Sequence, residues 1–311
     1  MTKRPYELRK KDFKRTLGIV ICIFLTSAML ILSIPLKEAI IKGVRLSAYN
    51  IIPTLFPFFI LADLWTAFSY ENSRSRLTLL FERTFKINGC AITAFSTGII
   101  CGFPVGARTA AVLYERGLIS RGELEDLCGF INNPSLAFVI SGIGIGIYGS
   151  VKVGILLYTS VLISAVLTGL IVRSKHKKTA KTGNISEQKF NLVNSIKSAG
   201  ISSITVATYI IFFSGVIGII SYCVKNPIVT VLLSALSEVS NAAVIISVSL
   251  PKNHFFTFSA TAFALGFSGF SVHLQAFSFL PSEVSRSNYL LMKLFQGIVA
   301  SIIIIPLILL L

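Results

Sequence analysis

The sequence predicts an all-α polytopic membrane protein of about 7 full spans. Its expected architecture is an inverted repeat with two re-entrant hairpins and two interrupted transmembrane helices. Three observations carry this reading. Apolar runs long enough to cross a bilayer recur along a chain of 311 residues that is 53% hydrophobic, 14% charged and has a mean hydropathy of +0.78. Basic residues crowd into alternate loops. Several apolar runs are broken midway by Gly, Pro, Asn and Ser, as in "LCGFINNPSLAFVISGIGIGIYGS" over 127–150. Unwound backbone in lipid leaves amide and carbonyl groups unpaired at a cost of several kcal/mol each, so such breaks imply burial in protein or a wet cavity.

Taken in order, "MTKRPYELRKKDFKR" precedes an apolar run too long for a signal-peptide core, so 17–36 reads as a retained first span with the N-terminus cytoplasmic. "KEAIIKGVRLSAYN" is amphipathic and is expected along the outer face. Residues 51–69 return inward, and a basic loop with Arg74, Arg76, Arg83 and Lys86 follows. The run 89–113, interrupted by "CGFPVGAR", is expected to enter and leave on one side. After "YERGLISRGELED", 128–147 crosses outward and 151–172 returns. "RSKHKKTAKTGNISEQK" is a polar cytoplasmic linker. Residues 204–224 cross outward, 227–250 form a second hairpin, 255–280 cross inward and 290–311 outward.

This path places 23 of the 29 lysines and arginines on the cytoplasmic side, Lys197, Arg286 and Lys293 among them. The formal charge of +16 therefore reads as loop bias, and no nucleic-acid partner is expected. The domains are 1–50 (basic N-terminus, first span and outer segment), 51–172 (first repeat), 173–203 (basic linker and amphipathic segment) and 204–311 (second, inverted repeat). Weak internal similarity supports the repeat: Gly129 and Phe130 align with Gly266 and Phe267, and the breaks fall at matching places. Cys22, Cys90, Cys101, Cys128 and Cys223 form no CxxC, and His176, His254 and His273 are scattered, so neither metal nor cofactor is expected. No phosphate-binding loop and no nucleophile–base spacing occurs, so no enzyme is expected and no catalytic residue is named.

Ionisable groups within apolar runs cost about 2.5–3.5 kcal/mol each at a helix centre and are functional candidates by default. Asp63, Arg108 and Glu238 stand out. Asp63 either nears the cytoplasmic end of its span, pairs with Arg108, or serves a coupling ion (H+ or Na+). Arg108 either snorkels or meets an anion. Glu238, at a hairpin tip beside Ser237, Ser240 and Asn241, cannot easily snorkel and is the leading functional candidate, either at the solute or at a coupling ion. Asn132, Asn133 and Ser135 flank Pro134, which frees a carbonyl. Ser268, Ser271, His273 and Gln275 offer the same groups at the second break, with interhelical hydrogen bonds as the plainer use of His273 and Gln275. Gly102, Pro104 and Gly106 mark the first hairpin tip. The glycines at 98, 102, 106, 266 and 269 read as packing and bending positions.

"IIPTLFPFFILADLW", "GFPVGARTAAVLYERGLIS", "FINNPSLAFVISGIG", "LSEVSN" and "GFSGFSVHLQAFS", in this order, resemble the YlbJ (SpoVV) sporulation integral membrane protein family, of the nucleoside-recognition or Gate-domain group. The resemblance runs over roughly 45–310. It implies kinship to concentrative nucleoside transporters, whose hairpins and interrupted helices hold the solute. It also implies movement of dipicolinic acid, a small aromatic dicarboxylate, out of the mother cell into the space around the forming spore, with the chain in the outer forespore membrane. Such a dianion suits Arg108, the asparagine amides and helix N-termini, and sits badly beside an ionised Glu238. The expected partners are a small anionic solute, the lipid bilayer and a coupling ion, with oligomer formation left open. A nucleoside carrier, or a non-transporting scaffold in spore envelope assembly, remains the alternative.

Overall fold

The computed structural model describes residues 29–69, 75–172, 190–251 and 255–309, with isolated positions between 16 and 27. Among them every regular element is helical. The basic N-terminus (1–15), Arg74, the linker 173–189 with His176, and Lys252 and His254 lie outside the described residues. The expected first span at 17–36 falls only partly within them.

Five helical stretches among the described residues are long and apolar enough to cross a membrane: Ser33–Phe68, Val151–Val172, Leu192–Cys223, Phe255–Phe279 and Arg286–Ile308. The chain is an all-α polytopic membrane protein. The first stretch joins α1 (Ser33–Leu46) to α2 (Ile52–Ser69) through a π-helical turn at Ser47–Ile51. Pro53 has no N–H to give Tyr49, so the ladder widens there instead of stopping, and the Thr54 hydroxyl donates to Asn50 O at 2.6 Å. Residues 37–50, expected as a separate segment along the outer face, are thus continuous with the following span. At 1.5 Å per residue the 36-residue stretch is about 54 Å long, well beyond a hydrocarbon core of about 30 Å. Lys37, Glu38, Lys42 and Arg45 all lie in its first part, which packs on the Leu192–Cys223 helix through Gly43.

The amphipathic helix α3 (Arg76–Phe85) follows, capped by Ser75 and ended by Lys86 in the left-handed region at φ 58°. Its Phe85 stacks on Phe130, and Phe81 and Phe85 both meet Phe95 at a tilt. Helices α4 (Ile92–Ile100) and α5 (Val105–Glu115) make the first hairpin. Helices of 9 and 11 residues reach only about 14 and 17 Å, each too short to cross, and the close approach of Gly106 to Gly98 shows that the pair turns back on itself. Helix α6 (Arg121–Ile131) starts in a Ser120/Glu123 capping box, stops at Asn132, and the chain resumes helical form after Ser135 into a π-helical stretch, Phe138–Ile145. Pro134 inside the gap cannot donate, and Ser135 Oγ accepts from Phe138 N at 3.2 Å to cap the resumed helix. Helix α7 (Val151–Val172) closes this half.

The second half repeats the order. Helix α8 (Leu192–Cys223) is one 32-residue rod in which the expected amphipathic segment, 190–203, runs on into the span. Helices α9 (Pro227–Ser237) and α10 (Val239–Ser249) form the second hairpin, α11 (Phe255–Phe267) and α12 (Gly269–Phe279) the second broken helix, and α13 (Arg286–Ile308) the last span. The second break is tight: Ser268 (φ 76°) and Gly269 (φ 77°) are both left-handed, a conformation that costs a non-glycine residue about 1 kcal/mol or more.

Each hairpin tip is seated on the break that follows it. Gly102, at φ 80° beside the cis Phe103–Pro104 bond, lies so close to the Ser135 backbone that a side chain there would collide with Ser135 N. Gly269 bears on Ser237 and Glu238 in the same way, with a Cβ 3.1 Å from Glu238 N. The first hairpin also rests on the end of α6, where a Cβ on Gly98 would strike Ile131 O.

Gly98→Ala should therefore destabilise the chain by about 1–3 kcal/mol of overpacking or more, seen as a lower melting temperature in detergent. Gly200→Ala, on α8 with nothing within 4 Å, should gain about 0.5–1 kcal/mol of helix propensity. Thermal unfolding of the two variants side by side checks the docking of the hairpin on the break.

Candidate functional site: a polar junction between two broken helices

Helix α13 decides how the breaks meet. Tyr289, Lys293, Gln296, Gly297, Ala300 and Ile304 recur at helical spacing and are all buried, so one face of α13 is sealed against the bundle. That face lies close to both broken helices. Met292 packs where a side chain on Gly129 of α6 would stand, and Gly266 of α11 approaches Gly297 with only 2.9 Å between a notional Cβ and the Gly297 Cα.

The close approach lets α13 fill the first break. Lys293 Nζ donates to the carbonyl of Asn132 at 2.8 Å and to Gln296 Oε1 at 2.7 Å. Gln296 Nε2 donates to Asn133 Oδ1 at 2.6 Å, and Asn133 Nδ2 to Phe130 O at 2.7 Å. Asn132 Nδ2 donates to the Tyr289 hydroxyl at 2.8 Å, which lies 3.3 Å from His273 Nδ1 on α12. A continuous hydrogen-bonded set thus runs from the first break through α13 to the second broken helix. Two atoms in it, Asn132 Oδ1 and His273 Nε2, are buried with no partner. Lys293 is fully buried, and its hydrogen-bond partners are neutral oxygens with no carboxylate between them.

The other residues predicted for the site sit elsewhere or act locally. Arg108 grips Asp63 through two hydrogen bonds, at 2.7 and 3.1 Å, and donates to Ser198 Oγ at 2.7 Å, while Ser195 donates to the same carboxylate at 2.8 Å. Its guanidinium also lies over the Phe59 ring at 5.2 Å. Of the readings open for Asp63 and Arg108, the structure shows the ion pair. Beside it opens a cavity of about 350 Å³ with Glu115, Arg116, Asn191 and Asn194 in its wall, balanced in charge. Glu238 caps its own helix: its carboxylate accepts from Ser240 N and Asn241 N, both at 2.8 Å, and from Asn241 Nδ2 at 2.9 Å. Asn241 also borders a second cavity, of about 520 Å³, with Glu38, Lys42, Ser214 and Tyr222. Ser237 bonds back to Leu233 O, Ser268 to Leu265 O, and Gln275 reaches Ser271 one turn away. Ser135 caps, and Gly102, Pro104 and Gly106 shape the first tip. The predicted residues therefore occupy three places, and Asn132, Asn133 and His273 are the ones joined at the breaks.

Sequence reasoning passed over Lys293, Gln296 and Tyr289. Lys293 counted as a cytoplasmic loop charge because it stands just inside the expected start of the last span at 290. Its signal was present in "NYLLMKLFQG": a phenol, an amine and an amide four and three residues apart share one face of an apolar helix. Among the described residues no group of His, Cys, Asp and Glu could hold a metal ion.

The chain is 25% identical to the sporulation integral membrane protein YlbJ of Bacillus subtilis (strain 168), over an alignment of 312 positions covering 85% of this chain and 76% of that one. No family model matches the chain, and no solved structure does. The similarity bears out the resemblance to YlbJ drawn from the motifs, and with the apolar helices it makes the chain an integral membrane protein related to that sporulation protein.

Two substitutions probe the polar groups. Tyr289→Phe leaves the buried Asn132 amide without its acceptor and should cost about 1–3 kcal/mol in equilibrium unfolding. Asp63→Leu strands the Arg108 guanidinium and should cost up to about 3–5 kcal/mol, whereas Asp63→Leu with Arg108→Met should recover most of that loss. A double-mutant cycle read by thermal unfolding measures the coupling.

Proposed function

We propose that the chain is a secondary transporter or facilitator that moves a small organic anion through the junction of its broken helices. The reading rests first on the polar set Lys293–Asn132–Gln296–Asn133–Tyr289–His273, buried in an apolar bundle at two interruptions of helix. Keeping an amine, three amides and an imidazole away from water is expensive, and such groups at membrane depth mark solute and ion paths. The repeated order of span, hairpin, broken helix and span supports an inverted repeat, the arrangement that lets one half rock against the other. The bundle is read as carrying its solute without altering it.

The sign of the charge favours an anion. Asp63 neutralises Arg108, Glu238 is held by donors, and among the described residues it is Lys293 that brings a basic amine with neutral partners to the first break. Dipicolinic acid, implied by the family resemblance, is the substrate proposed, and the outer forespore membrane of a spore-forming cell the location, with the N-terminus cytoplasmic. The amides could read a nucleobase equally well, which keeps the nucleoside of the Gate-domain group as the competing solute; a scaffold without transport would need none of these buried groups.

Purified chain in proteoliposomes should carry labelled dipicolinate in a saturable manner that excess nucleoside does not suppress. Asn133→Leu, which removes the Gln296 partner, should cut that flux at least tenfold while Arg121→Ala, at an exposed helix start, leaves it unchanged. Flux of nucleoside in place of dipicolinate, or no flux of either, would overturn the assignment.

A further inference from the structure

The oxygens around Lys293 have the chemistry of a monovalent-cation site. Unwinding at Asn132 frees a backbone carbonyl, and Gln296 supplies an amide oxygen fixed in direction by its own bond to Asn133. The side chain of the same Asn132 also carries a buried oxygen, Oδ1, that has no partner. Neutral carbonyl and amide oxygens at an interrupted helix are what a desolvated sodium ion selects in a membrane. Here the amine of a covalently attached side chain takes two of those oxygens, at 2.8 and 2.7 Å.

We propose that Lys293 is a tethered cation that permanently fills the oxygen site opened by the first break, so that this break binds no mobile sodium. The geometry supports it from both sides. The Gly129–Met292 and Gly266–Gly297 approaches bring α13 near enough for Nζ to reach the carbonyl, and no carboxylate pairs with the amine, as one would in an ordinary buried salt bridge. A tethered charge also differs from a mobile one in consequence: it cannot leave with the solute, so the first break contributes attraction for an anion without linking flux to a sodium gradient. That consequence rests on the transport reading; the site itself does not.

The test is melting temperature, which needs no substrate. The full chain is purified in choline chloride and titrated with sodium chloride or methylammonium chloride. The wild type should not respond. Lys293→Ala should melt well below it in choline and regain most of the loss as methylammonium or sodium enters the vacated space, while choline, too large, restores nothing. Lys293→Met, which refills the volume without a charge, should be destabilised and unresponsive to either ion. Lys293→Ala that melts like the wild type in choline, or that no small cation restores, overturns the proposal. Should Lys293→Ala not fold, the wild type still decides: a saturable sodium-dependent rise that Gln296→Leu abolishes places a mobile ion on these oxygens and overturns it, and the absence of such a rise supports it. Failure of dipicolinate flux in liposomes would leave these melting curves unchanged, so the two readings fail separately.

Discussion

Backbone that leaves a helix inside hydrocarbon must find partners in the protein, and the bond from Lys293 Nζ to the Asn132 carbonyl is how this chain meets that demand. Each unsatisfied group would cost several kcal/mol, more than a marginally stable bundle can absorb at several places at once. The bond cannot form unless α13 comes within side-chain reach of α6. That approach in turn needs Gly129, and the parallel approach to α11 needs Gly266 and Gly297. Small residues, a break and a buried amine are thus one device rather than separate features.

The same demand explains the hairpins. One tip is set against the Ser135 backbone and another against Gly269, so each break that α13 approaches is also covered by a hairpin. The second break carries less polarity: Ser268 and Gly269 turn the chain in two left-handed residues, and Ser268 bonds within its own turn. The first break spans four residues and recruits three side chains from α13. The halves repeat in element order yet differ in chemistry, and the polar weight lies at the first.

The positions of both hairpins and both breaks were legible in the sequence because Gly, Pro, Asn and Ser inside apolar runs admit few structures. Asn132–Ser135 and Ser268–Gly269 fall where the composition put them. Longer continuity was not legible: the amphipathic 37–50 read as a segment apart from the span at 51–69, whereas a π turn at Ser47–Ile51 joins the two, and nothing in 192–203 announced that it would run on into α8. The partners of charged residues were hidden as well. The bidentate grip of Arg108 on Asp63 depends on α2, α5 and α8 converging, and Glu238 turned inward to cap its own helix, a local use that a search for ion sites overlooks. Lys293 was misread because positive charge near a span end ordinarily belongs to the loop. Only packing shows that this one points into the bundle.

The most direct test is an experimental structure of the chain in a lipid nanodisc. The account predicts non-helical backbone at 132–135, enclosed by protein, with the Lys293 amine within hydrogen-bond distance of the Asn132 carbonyl. An unbroken helix through 127–150, or a break facing the acyl chains with Lys293 turned to water, would contradict it.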